Sequence, residues 1–150
     1  MNNGCISWRS KKQRAVALSS TEAEYMALTE ATQKAVWIKA FLCKLGEMKN
    51  DEAVKIYDDN QGSIALVKNP EFHKRTKHID IRYHFVREKV ADGQVLLQYC
   101  ATKDMKADLM TKPISAAQFE YLRGMLGIKT PRSAEASGSV VNDTPRHDVL

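Results

Sequence analysis

The 150-residue chain is long enough for one domain and little more. Its 43% hydrophobic and 27% charged residues are those of an ordinary globular chain, which argues against a wholly disordered or collagen-like one. No run of eighteen apolar residues predicts a transmembrane helix, and MNNGCISWRSKKQ lacks the apolar core of a signal peptide. An intracellular protein of cytoplasm or nucleus, neither secreted nor bound to a membrane, is therefore expected. Cys5, Cys43 and Cys100 are odd in number and widely spaced, so they suggest neither a disulfide framework nor a zinc knuckle.

In chain order, residues 5–10 alternate apolar and polar side chains, which predicts a short strand. Lys11 to Arg14 is a polar link. Ser19 and Glu22 stand in capping-box spacing and open a long helix that runs to about Leu45 and closes at Gly46. Residues 47–52 read as a charged loop and 53–57 as a strand. Asp58-Asp59-Asn60-Gln61 is the turn into a helix over 62–68, which Asn69-Pro70 stops. A basic helix is predicted over 81–91, closing at Gly93, and a strand over 95–99. A short helix over 107–111 ends at Pro113. Ser115 and Gln118 repeat the capping-box spacing and open a last helix, with Phe119, Leu122 and Leu126 inward. Residues 130–150 are small, polar and broken by proline, as in a disordered tail, so the domain is expected to occupy 1–129. Strands alternating with helices describe an α/β sheet domain.

The net charge of +5 is mild, but it is unevenly placed. Residues 73–89 hold six Lys/Arg against two acids, with three of the four histidines. A second basic knot contains Lys11 and Lys12. Such patches attract phosphate backbones by counterion release; a solvated helix face is the competing reading for each. Zinc binding by His73, His78 and His84 is disfavoured, because nothing completes four ligands.

Three acids stand in unusual places. On the long helix, Glu24 falls on one stripe with Leu28, Ala31, Ala35, Ile38, Leu42 and Leu45, and Glu22, Thr29, Gln33 and Lys44 fall opposite. A carboxylate on the core-facing stripe needs a compensating partner, unless Thr21 caps the helix and Glu24 completes its capping box. Asp59 stands where a strand ends and a helix begins, the usual ligand position of open α/β sheets, although an Asx turn would also explain it. Asp108 opens a short helix, where it could simply answer the helix dipole. Together, three carboxylates without matching Lys or Arg suit Mg²⁺. Two such ions about 4 Å apart would stabilise the attacking water and the leaving oxygen of a phosphodiester. Beside a basic helix, that is the outline of a nuclease.

The strings ISWRSKKQRAVALSSTEAEYMAL, DNQGSIAL, NPEFHKRTKHIDIRYHFVRE and ATKDMKADLMTKPI resemble the ribonuclease H region of copia-type retrotransposon Pol polyproteins. The resemblance runs in four ordered blocks over residues 4–127. It implies a ribonuclease-H-like mixed sheet flanked by helices. It also implies an endonuclease-type hydrolase in which Mg²⁺ or Mn²⁺ supports cleavage of the RNA strand of an RNA–DNA hybrid. By motif, Glu24, Asp59 and Asp108 are its catalytic and metal-holding acids. Lys11, Lys12, Arg75, Lys77, His78 and Arg82 are the expected nucleic-acid contacts. The family's first acid lies in a strand well upstream of ISW, followed by a second strand, and neither precedes Gly4 here. A sheet lacking its first two strands, and impaired cleavage, are therefore expected. Asp58, where the family has an uncharged residue, is a candidate substitute ligand. The alternative function is a non-catalytic nucleic-acid-binding remnant. The expected partners are an RNA–DNA hybrid or other nucleic acid and the reverse transcriptase region of the same polyprotein.

Overall fold

The computed structural model describes residues 4–13, 15–69 and 80–128, with the side chains of 80–83 left aside. The predicted tail over 130–150 lies outside the described residues. The first helix, α1, spans Ser20–Lys44. Ser19 is its N-cap in extended backbone, and its hydroxyl accepts from the Glu22 amide at 3.1 Å. The Glu22 carboxylate accepts from the Leu18 amide at 2.8 Å, one residue earlier than the usual capping box would place it. At the other end Gly46, at φ 75°, closes a Schellman motif in which Glu47 N–H reaches the Leu42 carbonyl at 3.0 Å.

The buried face of α1 departs from the predicted stripe. Tyr25, Met26, Leu28, Thr29, Thr32 and Ala35 are buried together with Glu22 and Lys39, whereas Ala31 and Leu45 are exposed. Two residues expected on the outer face are thus inside, each for a local reason. Glu22 spends its charge on the chain entering the helix, and the Thr29 hydroxyl donates to the Tyr25 carbonyl at 2.9 Å. Both polar groups are satisfied close to home, so burying them costs little.

Strand β1 (Val54–Asp58) pairs in parallel with β2 (Val95–Tyr99), from Val54 opposite Val95 to Asp58 opposite Tyr99. Between them lie α2 (Gln61–Lys68) and α3 (Asp80–Ala91). A 3-10 turn (Thr102–Asp104), α4 (Asp108–Thr111) and α5 (Ala116–Met125) follow. Tyr25 and Leu28 of α1, Val67 of α2 and Val86 of α3 form the core, with Ile56 and Leu97 packed against it from the sheet. The Arg87 guanidinium of α3 donates to the carbonyls of Leu66, at 2.5 Å, and Asn69, at 2.8 Å. It thereby satisfies carbonyls at the C-terminal end of α2 and ties the two helices together.

The chain is α/β, with five helices and one two-stranded parallel sheet among the described residues. That sheet corrects two expectations. It is parallel rather than mixed, because residues 5–10 form no strand and lie exposed. An alternating pattern becomes a strand only when its backbone groups pair with a sheet edge. This stretch instead follows α1, clamped by Arg9 to Glu30 at 3.3 Å and by Gln13 Nε2 donating to the Ala23 carbonyl at 2.8 Å. Helices α1, α2 and α3 meet the Ile56 and Leu97 face of the sheet, while Lys55, Tyr57, Leu96 and Gln98 on the alternate positions are exposed. In α5, Leu122 is fully enclosed but Phe119 is exposed, contrary to its predicted inward place. Among the described residues no helix is long and apolar enough to cross a membrane.

Candidate acidic site

The acids singled out by position come from three elements. Glu24 lies in the second turn of α1, half-buried. It is too far into the helix to complete a capping box, since Ser19 and not Thr21 is the N-cap. Asp59 is the first residue after β1. Asp108 opens α4 and is buried. Desolvation raises the Glu24 carboxyl above the ordinary glutamate range; the charges of Asp59, Asp58 and Asp108 raise it further, and Lys112 opposes them. Carboxylates on α1, after β1 and on α4 therefore share one electrostatic neighbourhood.

The turn after β1 separates the roles of its two aspartates. Asp58 is buried, with Oδ1 accepting from the Asn60 amide at 2.8 Å and Oδ2 from the Ser63 hydroxyl. It makes the Asx turn that had been considered for Asp59. Asn60 then caps α2, accepting from the Ser63 amide at 3.0 Å. Both Asp58 oxygens thus hold the turn that presents Asp59. Gly62 allows the approach of α2 to α1. A Cβ there would lie 3.0 Å from both Asn60 Oδ1 and Thr21 Oγ1.

One residue of the neighbourhood escaped sequence reasoning. The Lys112 ammonium lies 2.9 Å from Asp108 Oδ1. Asp108 therefore has a matching cation, contrary to the expectation of acids without Lys or Arg. The i to i+4 spacing on a helix was the available signal. Among the described residues, no three His, Cys, Asp or Glu side chains gather closely enough to hold a metal ion as they stand. The donor set suits Mg²⁺ in kind, being all oxygen, and the mutual repulsion on Glu24 is what a cation would relieve. The donor chemistry suits such an ion, but among the described residues the carboxylates do not converge on one point.

Of the predicted nucleic-acid contacts, Lys11 and Lys12 are exposed, between the two clamps that hold their segment to α1. Arg82 belongs to α3, its side chain outside the description; Arg75, Lys77 and His78 lie outside the described residues.

Comparison with known proteins finds retrotransposon Pol polyproteins similar to most of the chain. It is 43% identical over 127 residues, 85% of its length, to the Retrovirus-related Pol polyprotein from transposon TNT 1-94 of Nicotiana tabacum. It is 43% identical over 129 residues to that from transposon RE2 of Arabidopsis thaliana. The chain spans 9% of the length of each of these relatives. A stretch of 38 residues is 79% identical to Secreted RxLR effector protein 161 of Plasmopara viticola. No family model matches the chain. No solved structure matches it. The chain is thus homologous to a segment of retrotransposon Pol polyproteins.

Proposed function

We propose that this segment is a ribonuclease-H-like domain of a copia-type Pol polyprotein, its acids Glu24, Asp59 and Asp108 serving hydrolysis of the RNA strand of an RNA–DNA hybrid. The observation that carries the reading is the electrostatic meeting of these three acids from three separate elements around a half-buried Glu24. Homology to transposon Pol polyproteins gives that meeting its context. Glu24, Asp59 and Asp108 would hold Mg²⁺ or Mn²⁺, which supplies charge stabilisation for water attack on a phosphodiester. The chain's own part is positioning. Asp58 and Asn60 fix the turn that presents Asp59, the first turn of α4 presents Asp108, and α1 supplies Glu24 from a partly desolvated face. Lys11, Lys12, Arg75, Lys77, His78 and Arg82 would contact the phosphates of the hybrid, and the reverse transcriptase region of the same polyprotein is the proposed covalent neighbour.

The test is cleavage of a labelled RNA–DNA hybrid in Mg²⁺ or Mn²⁺. These 150 residues supply three of the four acids the family pattern asks for, so weak cleavage or none is expected from them alone. Fusing the two family-like strands ahead of Met1 should restore cleavage, and Asp59→Asn should then abolish it. A fused chain that binds hybrid but leaves it intact would sink the nuclease reading. It would favour the second reading, a non-catalytic nucleic-acid binder, which the unclosed carboxylates also suit.

A further inference from the structure

The outer face of α1 carries a group of side chains that the acidic site does not use. Glu30, Lys34, Trp37, Phe41 and Lys44 recur at intervals of four, three, four and three residues, so they share one stripe of the helix. All five are exposed, Trp37 by 59% and Phe41 by 49%. The two rings are stacked, with an interplanar angle of 1° and centroids 5.7 Å apart. The Lys34 ammonium stands 4.4 Å from the centre of the Trp37 ring, drawn there by the negative face of the π-system.

Basic groups lead up to this stripe and close it. The segment before α1 lies along the helix, because Arg9 pairs with Glu30 at 3.3 Å and Gln13 donates to the Ala23 carbonyl at 2.8 Å. Lys11 and Lys12 stand exposed between those two anchors. The acid of the stripe, Glu30, is spent on Arg9. The rings therefore sit between two exposed lysines, Lys34 before them and Lys44 after them. These two lysines are ten residues apart, about 15 Å along the axis. Glu24 lies as far again before Lys34, so the stripe is a surface separate from the acids.

We propose that this face of α1 binds a single strand of RNA or DNA, its unpaired bases stacking on Trp37 and Phe41 and its phosphates meeting Lys34, Lys44, Lys11 and Lys12. Exposed rings interleaved with cations suit this ligand, because every base has a π-face and every nucleotide a phosphate. A duplex keeps its bases in their own stack and offers such rings nothing. A protein partner would need only the apolar surface; lysines on both sides of the rings favour an anion. The proposal extends the phosphate contacts assigned above to Lys11 and Lys12, and it needs neither a metal nor cleavage.

Fluorescence anisotropy of the full chain with short end-labelled strands tests this. The strands are oligodeoxyadenylate, oligoriboadenylate and an abasic strand of equal length and charge. Both adenylates should bind roughly ten-fold more tightly than the abasic strand, as stacking on the rings would give. Trp37→Ala should remove that difference, Trp37→Phe should keep most of it, and neither should change the affinity for a blunt RNA–DNA hybrid. Lys44→Gln should weaken all three strands alike and flatten their salt dependence by about 0.7 units of slope. Equal binding of adenylate and abasic strands by the native chain would overturn the proposal, as would a difference that survives in Trp37→Ala. Should Trp37→Ala and Phe41→Ala instead abolish self-association and leave strand affinity intact, the face belongs to a second copy of the chain and the proposal falls. Loss of hybrid binding in Lys11→Ala and Lys12→Ala bears on the nuclease reading and leaves the role of the rings standing.

Discussion

Residue by residue, polar groups inside the fold are the most informative. The Thr32 hydroxyl is fully buried in α1 and has no hydrogen-bond partner among the described residues. A buried donor left unmade costs about 1–3 kcal/mol. Thr32→Val keeps the branched shape and removes the stranded group, so it should stabilise the fold by about 1 kcal/mol, read as a higher urea midpoint at unchanged slope. A lower midpoint would mean the hydroxyl has a partner in solution. Glu24 makes a prediction with a definite sign. Its folded carboxyl titrates above the ordinary 4.5, chiefly through desolvation and then through its acidic neighbours. The folded state therefore keeps a proton that the unfolded chain has released, and its stability falls as pH rises from about 4.5 through the raised value. In metal-free buffer Glu24→Gln should be more stable than the native chain at pH 7, and the gain should vanish by pH 4. Equal midpoints at both pH values would contradict this. Glu24 and Asp59 could be singled out in the sequence because their positions on a stripe and at a strand end are local facts. Lys112 was missed because its role depends on Asp59 and Glu24 arriving from elsewhere.

Elements with local signals were legible and those needing a distant partner were not. The caps at Ser19 and Ser115 and the glycine stops at Gly46 and Gly93 sit where the sequence placed them, because a cap is satisfied by residues three or four positions away. The strand expected over 5–10 carried the right alternation, but the stretch is held along α1 by Arg9 and Gln13 and pairs with neither sheet edge. Gly62 shows how a helix start is shaped by a neighbouring helix. Alanine in a helix is intrinsically better than glycine by about 1 kcal/mol. Here, however, a methyl group would press on Asn60 Oδ1, which caps α2, and on Thr21 at the start of α1. Losing an N-cap costs about 0.5–2 kcal/mol, so Gly62→Ala should be net destabilising, by about 1 kcal/mol or less. It should also push α2 away from α1 and separate Asp59 from Glu24. Differential scanning calorimetry in EDTA gives the first effect. The second would appear as weaker Mn²⁺ binding, and a variant that is more stable and binds Mn²⁺ normally would show that the contact yields freely.

At the scale of the whole molecule, the sheet is the unusual feature. Parallel sheets normally carry cover on both faces, and a sheet of so few strands is marginal on its own. Here helices pack on the face bearing Ile56 and Leu97, while Tyr57 and Leu96 on the other are about half exposed. Among the described residues nothing pairs with the outer strand edges, and apolar surface beside open strand edges favours pairing with another chain. The 150-residue chain should therefore self-associate at micromolar concentration, seen as a concentration-dependent sedimentation coefficient. Leu96→Glu is the discriminating variant. Leu96 stands opposite Lys55 in the β1–β2 register, and both side chains are exposed. The new carboxylate would face an ammonium across the strands, a pairing worth about 0.2–1 kcal/mol, while adding charge to the bare face. Stability should thus stay within about 0.5 kcal/mol of native, and self-association should fall. Association that persists in Leu96→Glu would place the contact elsewhere, with the Trp37 and Phe41 rings stacked on the outer face of α1 as the next surface to alter. A native chain that stays monomeric would mean that the bare face is already covered within the chain.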